Sequence, residues 1–483
     1  MAAPSQPIPP APPRPPSPDS DPIPILLSRA KSELSADFDF NQSISTSRAP
    51  ATLDVMGGIA EYTGSTVCRM TLDRAAGVVL QGRNDRQLQV FSFNRFDDNL
   101  PFTLRMPLER LAACSVNDLR REFSEPGRTW AANIVGCLFM LQRGRLIDLN
   151  DSSLHGLNIA TYSTIPTGCG LGSCSAMQVA AMMNFINHFN LRGAVEPLKL
   201  AHMCRAVEND IQGQPGGIAS PITSLLGEQN VLVRVQTQSQ ELLPPVKLPQ
   251  GFQIVCIDSG VPSNNPAAYD IARIAASMSH AIILAKMREM GSASGREMIG
   301  DPMNGYLANL DQDDYKKFFR PYLPQWIMGQ EFADRFGEIA GIEPRMEYRI
   351  QQAADHHVLE ARRVRQFCEF VEKAGSMPLE DVTRHIEMDK AGHLMYASHL
   401  SFMNDALLGS DPCDLLVRLV KQREKSGLYG ARMTARGSGG SVAVLCGQNE
   451  HTEHALTEIA QAYEHQVGNG LQIIMSTDLE VGQ

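Results

Sequence analysis

The chain has no concentrated block of positive charge. Its 483 residues include 43 Lys and Arg against 53 Asp and Glu, a formal net charge of −10, and no Lys/Arg cluster interleaved with aromatics. Holding a phosphate backbone takes a concentrated positive face, so nucleic acid is not an expected partner. No apolar run approaches the roughly 20 residues a membrane helix needs, so no membrane partner is expected. The ten cysteines (68, 114, 137, 169, 174, 204, 256, 368, 413, 446) include no C-x-x-C pair and lie scattered in apolar segments. They read as reduced core thiols of a cytoplasmic protein, not as zinc ligands or a disulfide frame. The first residues lack both the basic and the apolar stretch of a secretory leader, so no signal peptide is expected.

Proline is plentiful in one place only. Eleven of the first 24 residues are proline, a composition that favours extended polyproline conformations and cannot bury a core. Residues 1–46 are expected to be a largely disordered extension, with a short helix over Ile25–Ser35. Service of this tail as a proline-rich ligand for a partner domain is the alternative. The length beyond the tail is too great for one core and suggests two domains.

The most informative stretch is Ile165-Pro-Thr-Gly-Cys-Gly-Leu-Gly-Ser-Cys-Ser-Ala176. It follows Leu157–Tyr162, which reads as a strand, and runs into Ser175–Met183, which reads as a helix. Glycines let backbone N–H groups approach an anion closely, and a helix N-terminus presents the positive end of its dipole. Gly168, Gly170, Leu171, Gly172, Ser173, Cys174 and Ser175 are therefore a candidate phosphate cradle. The bland alternative is a tight strand-to-helix turn. The loop is neither G-x-x-x-x-G-K-[ST] nor a Rossmann fingerprint, since it lacks the lysine and the downstream acid.

Elsewhere, Val67–Leu72, Ala76–Leu80 and Leu88–Ser92 read as three strands with turns between them. Trp130–Arg143 and Pro197–Asn209 show helical spacing. The pattern lapses between Gln236 and Gly251, where a domain break is expected, and restarts as a strand at Phe252–Ile257. Helical segments follow to about residue 425, and two last strands bracket a glycine-rich stretch near residue 437.

The phosphate loop resembles the second motif of the GHMP kinases, and four further segments resemble that family in its own order. Ala49–Ser65 (APATLDVMGGIAEYTGS) is similar to the first motif of the sugar-kinase branch, in the form typical of arabinokinases. Val207–Ile218 (VENDIQGQPGGI) and Cys256–Val261 (CIDSGV) are similar to two middle segments, and Tyr429–Val444 to the glycine-rich third motif. The resemblance spans roughly residues 47–447 and is strongest to the arabinokinase and galactokinase patterns. It implies an α+β class, with a ribosomal-S5-domain-2-like N-terminal domain over residues 47–245, containing a left-handed β-α-β crossover. A ferredoxin-like C-terminal domain follows over residues 246–483, with the active cleft between the two.

The resemblance also implies roles. ATP would lie on the 168–175 loop, and Mg2+ on Glu208 with Ser173 and with Cys174, which stands where the family has a serine. Glu61, Tyr269 and Arg273 fall on the side of a small-molecule sugar substrate, together with Gly437, Ser438 and Gly439 of the third motif. Several positions depart from the pattern. Ser220 stands where the family has its catalytic aspartate, and Thr52 where it has the arginine paired with that aspartate. Arg436 occupies a position that is glycine in the family and could return a cation to the phosphates. Asp54 and Asp210 are candidate replacement carboxylates. Two readings are open: an ATP-dependent sugar 1-kinase with a rerouted site, or a catalytically degenerate relative that binds nucleotide or sugar as a sensor or assembly partner.

Overall fold

The computed structural model describes residues 20–263, 265–295, 298–468 and 470–475. The first element is a helix, α1 (Pro22–Glu33), with Pro22 in its first turn and Asp21 accepting the Ile23 N–H at 3.0 Å. This corrects the expectation of a largely disordered extension through residue 46. Leu26 and Ala30, one helical turn apart, are buried with Val79, Phe91, Phe93 and Ala160 on one face of the first sheet. Residues 1–19, most of the proline-rich run, lie outside the described residues.

That sheet has seven strands: β1 (Ser45–Met56), β2 (Thr66–Gly82), β3 (Gln87–Ser92), β4 (Thr103–Pro107), β5 (Leu157–Ser163), β6 (Val231–Gln236) and β7 (Glu241–Lys247). Their order is β4-β3-β5-β2-β6-β7, with β1 paired to β2. β2 is one strand of 17 residues where two strands and a turn were expected. Asp73 and Arg74 interrupt the apolar pattern, but the backbone stays extended because β1 pairs along it and the Asp73 N–H donates to the Met475 carbonyl at 2.9 Å. The expected break at Gln236–Gly251 likewise holds β7, in a hairpin with β6. Its Pro244 and Pro245 are tolerated because β7 is an edge strand, where a missing N–H breaks no ladder.

Helices α2 (Ala132–Arg143), α3 (Ser173–His188), α4 (Pro197–Ala206) and α5 (Ala219–Leu226) belong to the same half of the chain. Ile134, Leu138, Val179 and Phe185 from α2 and α3 bury against Val78, Leu80 and Val90 of the sheet. Residues 248–251 lead to β8 (Phe252–Asp258), then α6 (Pro266–Ala293), a two-stranded ribbon of β9 (Ile327–Met328) and β10 (Glu347–Tyr348), and helices α7 (Ile350–Ser376), α8 (Thr383–Asn404) and α9 (Asp411–Lys421). β11 (Leu428–Met433), β12 (Ser441–Gly447), α10 (Glu450–Val467) and β13 (Gln472–Ile474) close the described chain.

The second sheet runs β11-β12-β8-β13 and is antiparallel throughout. With α6 after β8 and α10 after β12, it is a split βαβ arrangement of ferredoxin type, with α7 to α9 inserted. The class is α+β. One apolar cluster joins the two sheets: Leu53 and Met70 from the first, Ile254 and Leu445 from the second, and Phe367 and Met395 from α7 and α8. A shared core of this kind fixes the cleft between the halves.

Candidate active site

A cavity of about 610 Å3 opens where the two sheets meet, with the 168–175 loop at one side. The loop links β5 to α3. Gly168, Gly170 and Gly172 hold φ of +76°, +74° and +68°, in the left-handed region that side chains avoid. Space is as limiting as conformation: a Cβ at Gly170 would stand 2.8 Å from the Ala435 Cβ, and one at Gly172 only 2.4 Å from the Thr52 Oγ1. The loop is stitched in place by Thr52 N–H to the Leu171 carbonyl (2.9 Å), Ser263 N–H to the Gly168 carbonyl (2.8 Å) and Ser441 Oγ to the Cys169 carbonyl (3.0 Å). No side chain caps the N-terminus of the 16-residue α3, and Ser173, Cys174 and Ser175 of its first turn line the cavity. Such a terminus presents unpaired backbone donors and the positive end of the helix dipole to the cavity.

Across from the loop, α4 continues into a π-helical turn, Val207–Ile211, that carries Glu208. The Glu208 Oε1 accepts from the Arg436 Nη2 at 3.2 Å, and the same nitrogen donates to the Pro215 carbonyl at 2.8 Å. Burial pushes the Glu208 carboxyl above its ordinary value, with Arg436 offsetting part of the shift. The Arg436 guanidinium also lies 5.2 Å from the centre of the Tyr269 ring. Gly216 and Gly217 are needed here because two carboxylates close on their Cα atoms. A Cβ at Gly216 would meet the Glu208 carboxylate at 2.3 Å, and one at Gly217 the Glu61 carboxylate at 2.1 Å.

Glu61 sits in a 3-10 turn, Gly58–Thr63, between β1 and β2. It accepts the Ala219 N–H at 3.0 Å and pairs with the Arg69 Nη2 at 3.4 Å. The Arg69 Nη1 donates to the Ser220 Oγ at 3.0 Å, and the Thr52 hydroxyl lies 3.0 Å from the same oxygen. Tyr62 meets Tyr269 edge-on at 6.0 Å. Burial raises the Tyr269 phenol, so it is a neutral donor. Four arginines (69, 205, 273, 436) and two glutamates (61, 208) line the cavity, a surplus of two positive charges.

Most residues singled out in the sequence converge. All seven loop residues, Glu208, Glu61, Tyr269, Arg273, Ser220, Arg436 and Gly439 line the cavity. Gly437 and Ser438 do not. A Cβ at Gly437 would lie 2.3 Å from Phe402, and the Ser438 N–H donates to the Leu408 carbonyl at 2.7 Å, so both shape the third-motif loop from behind. Thr52 is fully buried behind Gly172. Neither candidate replacement carboxylate is free: Asp54 is bound to Arg432 at 3.2 Å in the interior, and Asp210 faces Arg143 at 3.4 Å. Arg69 and Arg432 were missed by sequence reasoning. The available signal was an arginine within each of two apolar strands, where a charge is costly unless paired.

The geometry fits a nucleotide. A hard cation finds Glu208 and the Ser173 hydroxyl, but Glu208 is engaged by Arg436, and among the described residues no group of three His, Cys, Asp or Glu side chains could hold a metal. Cys174 adds no hard ligand. The crowded cleft wall and Glu208 push its thiol up to about 11, so it is protonated at neutral pH.

Residues 133–228 match the sequence pattern of the GHMP kinases N terminal domain. The whole fold follows that of Lactococcus lactis galactokinase, solved with galactose, at a TM-score of 0.70 and 19% identity, covering 94% of this chain and 98% of the other. The chain contains a GHMP kinase N-terminal domain. The chain is 29% identical to an L-arabinokinase of Arabidopsis thaliana over 89% of its length, and it spans 45% of that protein's length. It is also 26% identical to a galactokinase of Chloroflexus aurantiacus over 89% of this chain and 90% of that one. The fold is shared more distantly with a mevalonate kinase of Methanococcus jannaschii, at a TM-score of 0.51 and 13% identity. No helix among the described residues is long and apolar enough to cross a membrane.

Proposed function

We propose that this chain is an ATP-dependent sugar kinase, transferring the γ-phosphoryl group to a hydroxyl of a monosaccharide, with an aldose of the galactose or L-arabinose type as acceptor. The observation that carries the reading is one cavity holding both an uncapped helix N-terminus on a glycine loop and, facing it, a polar cluster of Glu61, Ser220, Tyr269 and Arg273. The first suits a polyphosphate, and the second suits a small polyhydroxy molecule. Backbone N–H groups of residues 170–175 hold the phosphates, and Arg436 adds a cation beside them. Glu208 and Ser173 would hold a magnesium ion, which when bound neutralises charge on the phosphate oxygens. Glu61 accepts hydrogen bonds from sugar hydroxyls, and the neutral Tyr269 supplies an apolar ring face and one donor.

Two halves of the chain act together in this reading, an N-terminal nucleotide-binding part (47–245) and a C-terminal part (246–483). The compartment assigned is the cytoplasm, where ATP and reduced thiols coexist. All ten cysteines are free. The proline-rich tail is left as a site for a partner domain.

The test is release of ADP from Mg-ATP against a panel of aldoses that includes galactose, L-arabinose and their deoxy analogues, alongside ligand-dependent thermal shifts. Turnover of one sugar, with at least about 10²-fold discrimination against the analogue that lacks the bonded hydroxyl, is the expected outcome, because an unpaired buried acceptor is costly. Thermal stabilisation by nucleotide with no ADP release from any sugar would establish the degenerate, ligand-sensing alternative instead.

A further inference from the structure

The kinase reading leaves a gap at its centre, since Ser220 is a poor proton acceptor and Thr52 carries no charge. We propose that the pair has moved: Glu61 takes the acceptor proton, and Arg69 holds the guanidinium beside it. This deepens the proposed function and rests on it.

Backbone register explains how the arginine can move. Thr52 pairs with Thr71 and Asp54 with Arg69 across β1 and β2. Residues two apart share a face of a strand, so Arg69 and Thr52 lie diagonally on the same face, within reach of a long side chain. From β2 the guanidinium arrives at Ser220 with Nη1 donating at 3.0 Å, at the position where the family resemblance places the arginine's carboxylate partner. Its Nη2 reaches Glu61 at 3.4 Å. The Arg69 residue is only 8% exposed, and its Nε has no hydrogen-bond partner among the described residues. A guanidinium so placed has a donor left over.

The carboxylate can move for a matching reason. The Glu61 carboxylate accepts the backbone N–H of Ala219, the neighbour of Ser220. The extra methylene of glutamate, relative to the aspartate the resemblance implies at this place, carries the carboxylate toward the 217–220 segment, and Gly217 leaves the space. Ser220 itself is occupied. Its oxygen takes a hydrogen bond from Arg69 and stands 3.0 Å from the Thr52 hydroxyl, so it positions the guanidinium. In the transfer, the acceptor hydroxyl oxygen forms the bond to the γ-phosphorus of ATP as the bond from that phosphorus to the β–γ bridging oxygen breaks. ADP leaves with that electron pair, and the hydroxyl proton passes to Glu61. Arg69, paired with Glu61 at 3.4 Å, lies beside the charge that develops.

The experiment uses the full chain, Mg-ATP and the aldose it turns over, with Glu61→Gln, Arg69→Ala and Arg69→Lys. At saturating substrates, Glu61→Gln is expected to lose about 10²–10⁴-fold in kcat, the range for general-base help, with little change in the KM for ATP. Arg69→Ala should fall at least about 10²-fold, the scale of losing one preorganised donor, and should regain part of that on addition of millimolar guanidinium. Arg69→Lys, which keeps the charge and guards against misfolding, should fall less than Ala but remain impaired, because an ammonium cannot span Glu61 and Ser220 together. A Glu61→Gln enzyme with wild-type kcat and only a raised sugar KM overturns the proposal. So does wild-type kcat in Arg69→Lys with no guanidinium recovery in Arg69→Ala. Failure of the wild type to turn over any sugar overturns the kinase reading, and this proposal with it.

Discussion

The buried pair of Asp54 and Arg432, in the interior behind the cleft, should be costly to break. Both side chains are fully buried. The Asp54 Oδ2 accepts from the Arg432 Nη1 and from the Ala435 N–H, each at 3.2 Å, and Oδ1 accepts the Gly58 N–H at 3.2 Å. One carboxylate thus ties β1, the turn that carries Glu61, and the loop that carries Arg436. Replacing Arg432 by Met strands a buried anion, and replacing Asp54 by Asn strands a buried cation. Either should cost about 3–5 kcal/mol, a large part of the roughly 5–15 kcal/mol that stabilises a folded protein. Asp54→Asn with Arg432→Met removes both charges of the pair, so its cost should fall short of the sum by up to about 3 kcal/mol, the upper range for residues in contact. Urea unfolding followed by far-UV circular dichroism measures the three differences, and nucleotide-dependent thermal shift shows whether the cleft survives. The reasoning is refuted if the single losses add to the double within about 0.5 kcal/mol, as independent sites do, or if either single change costs less than about 1 kcal/mol, the value of an ordinary hydrogen bond.

Gly172→Ala should lose about 1–2 kcal/mol for its left-handed backbone, plus the overlap with the Thr52 Oγ1 at 2.4 Å. Adding Thr52→Ala should return only the overlap, so identical melting of single and double variants would sink this account. Thr52→Arg should unfold or fail to accumulate, since position 52 is fully buried and the guanidinium is already supplied from Arg69. A soluble, more active Thr52→Arg enzyme would contradict both statements. Glu208→Gln should raise the melting temperature of the ligand-free protein at pH 7 while lowering activity. Burial raises this carboxyl above its unfolded value, so its favourable contribution is complete below that unfolded value and lost as pH rises through the folded one. The gain should therefore shrink as melting is repeated toward pH 4, and a wild type more stable than Glu208→Gln at pH 7 would show that the Arg436 pair outweighs burial. Leu26→Ala, in the helix that covers the first sheet, should cost about 2–5 kcal/mol by calorimetry; a loss near zero would mean that α1 is not part of the core.

The sequence by itself determined what is local. A loop with three glycines between an apolar strand and an apolar helix can take few shapes, and its left-handed turns into an uncapped helix N-terminus followed from glycine conformation. β8, α2 and α3 were legible for the same reason, since periodicity is a property of consecutive residues. β2 was not legible as one strand, because Asp73 and Arg74 read as a turn until a carbonyl from residue 475 satisfies the backbone there. β7 was hidden by two prolines that only an edge position excuses. Tertiary structure alone decided who partners whom. Ser220 and Thr52 stood out in the sequence as lost chemistry, and the fold sets them 3.0 Å apart, with Arg69 bonded to the same serine oxygen. That charge lies 17 residues beyond Thr52 in the chain and on the same sheet face in space, because the pleat and register of two antiparallel strands, which no linear motif encodes, bring their side chains together.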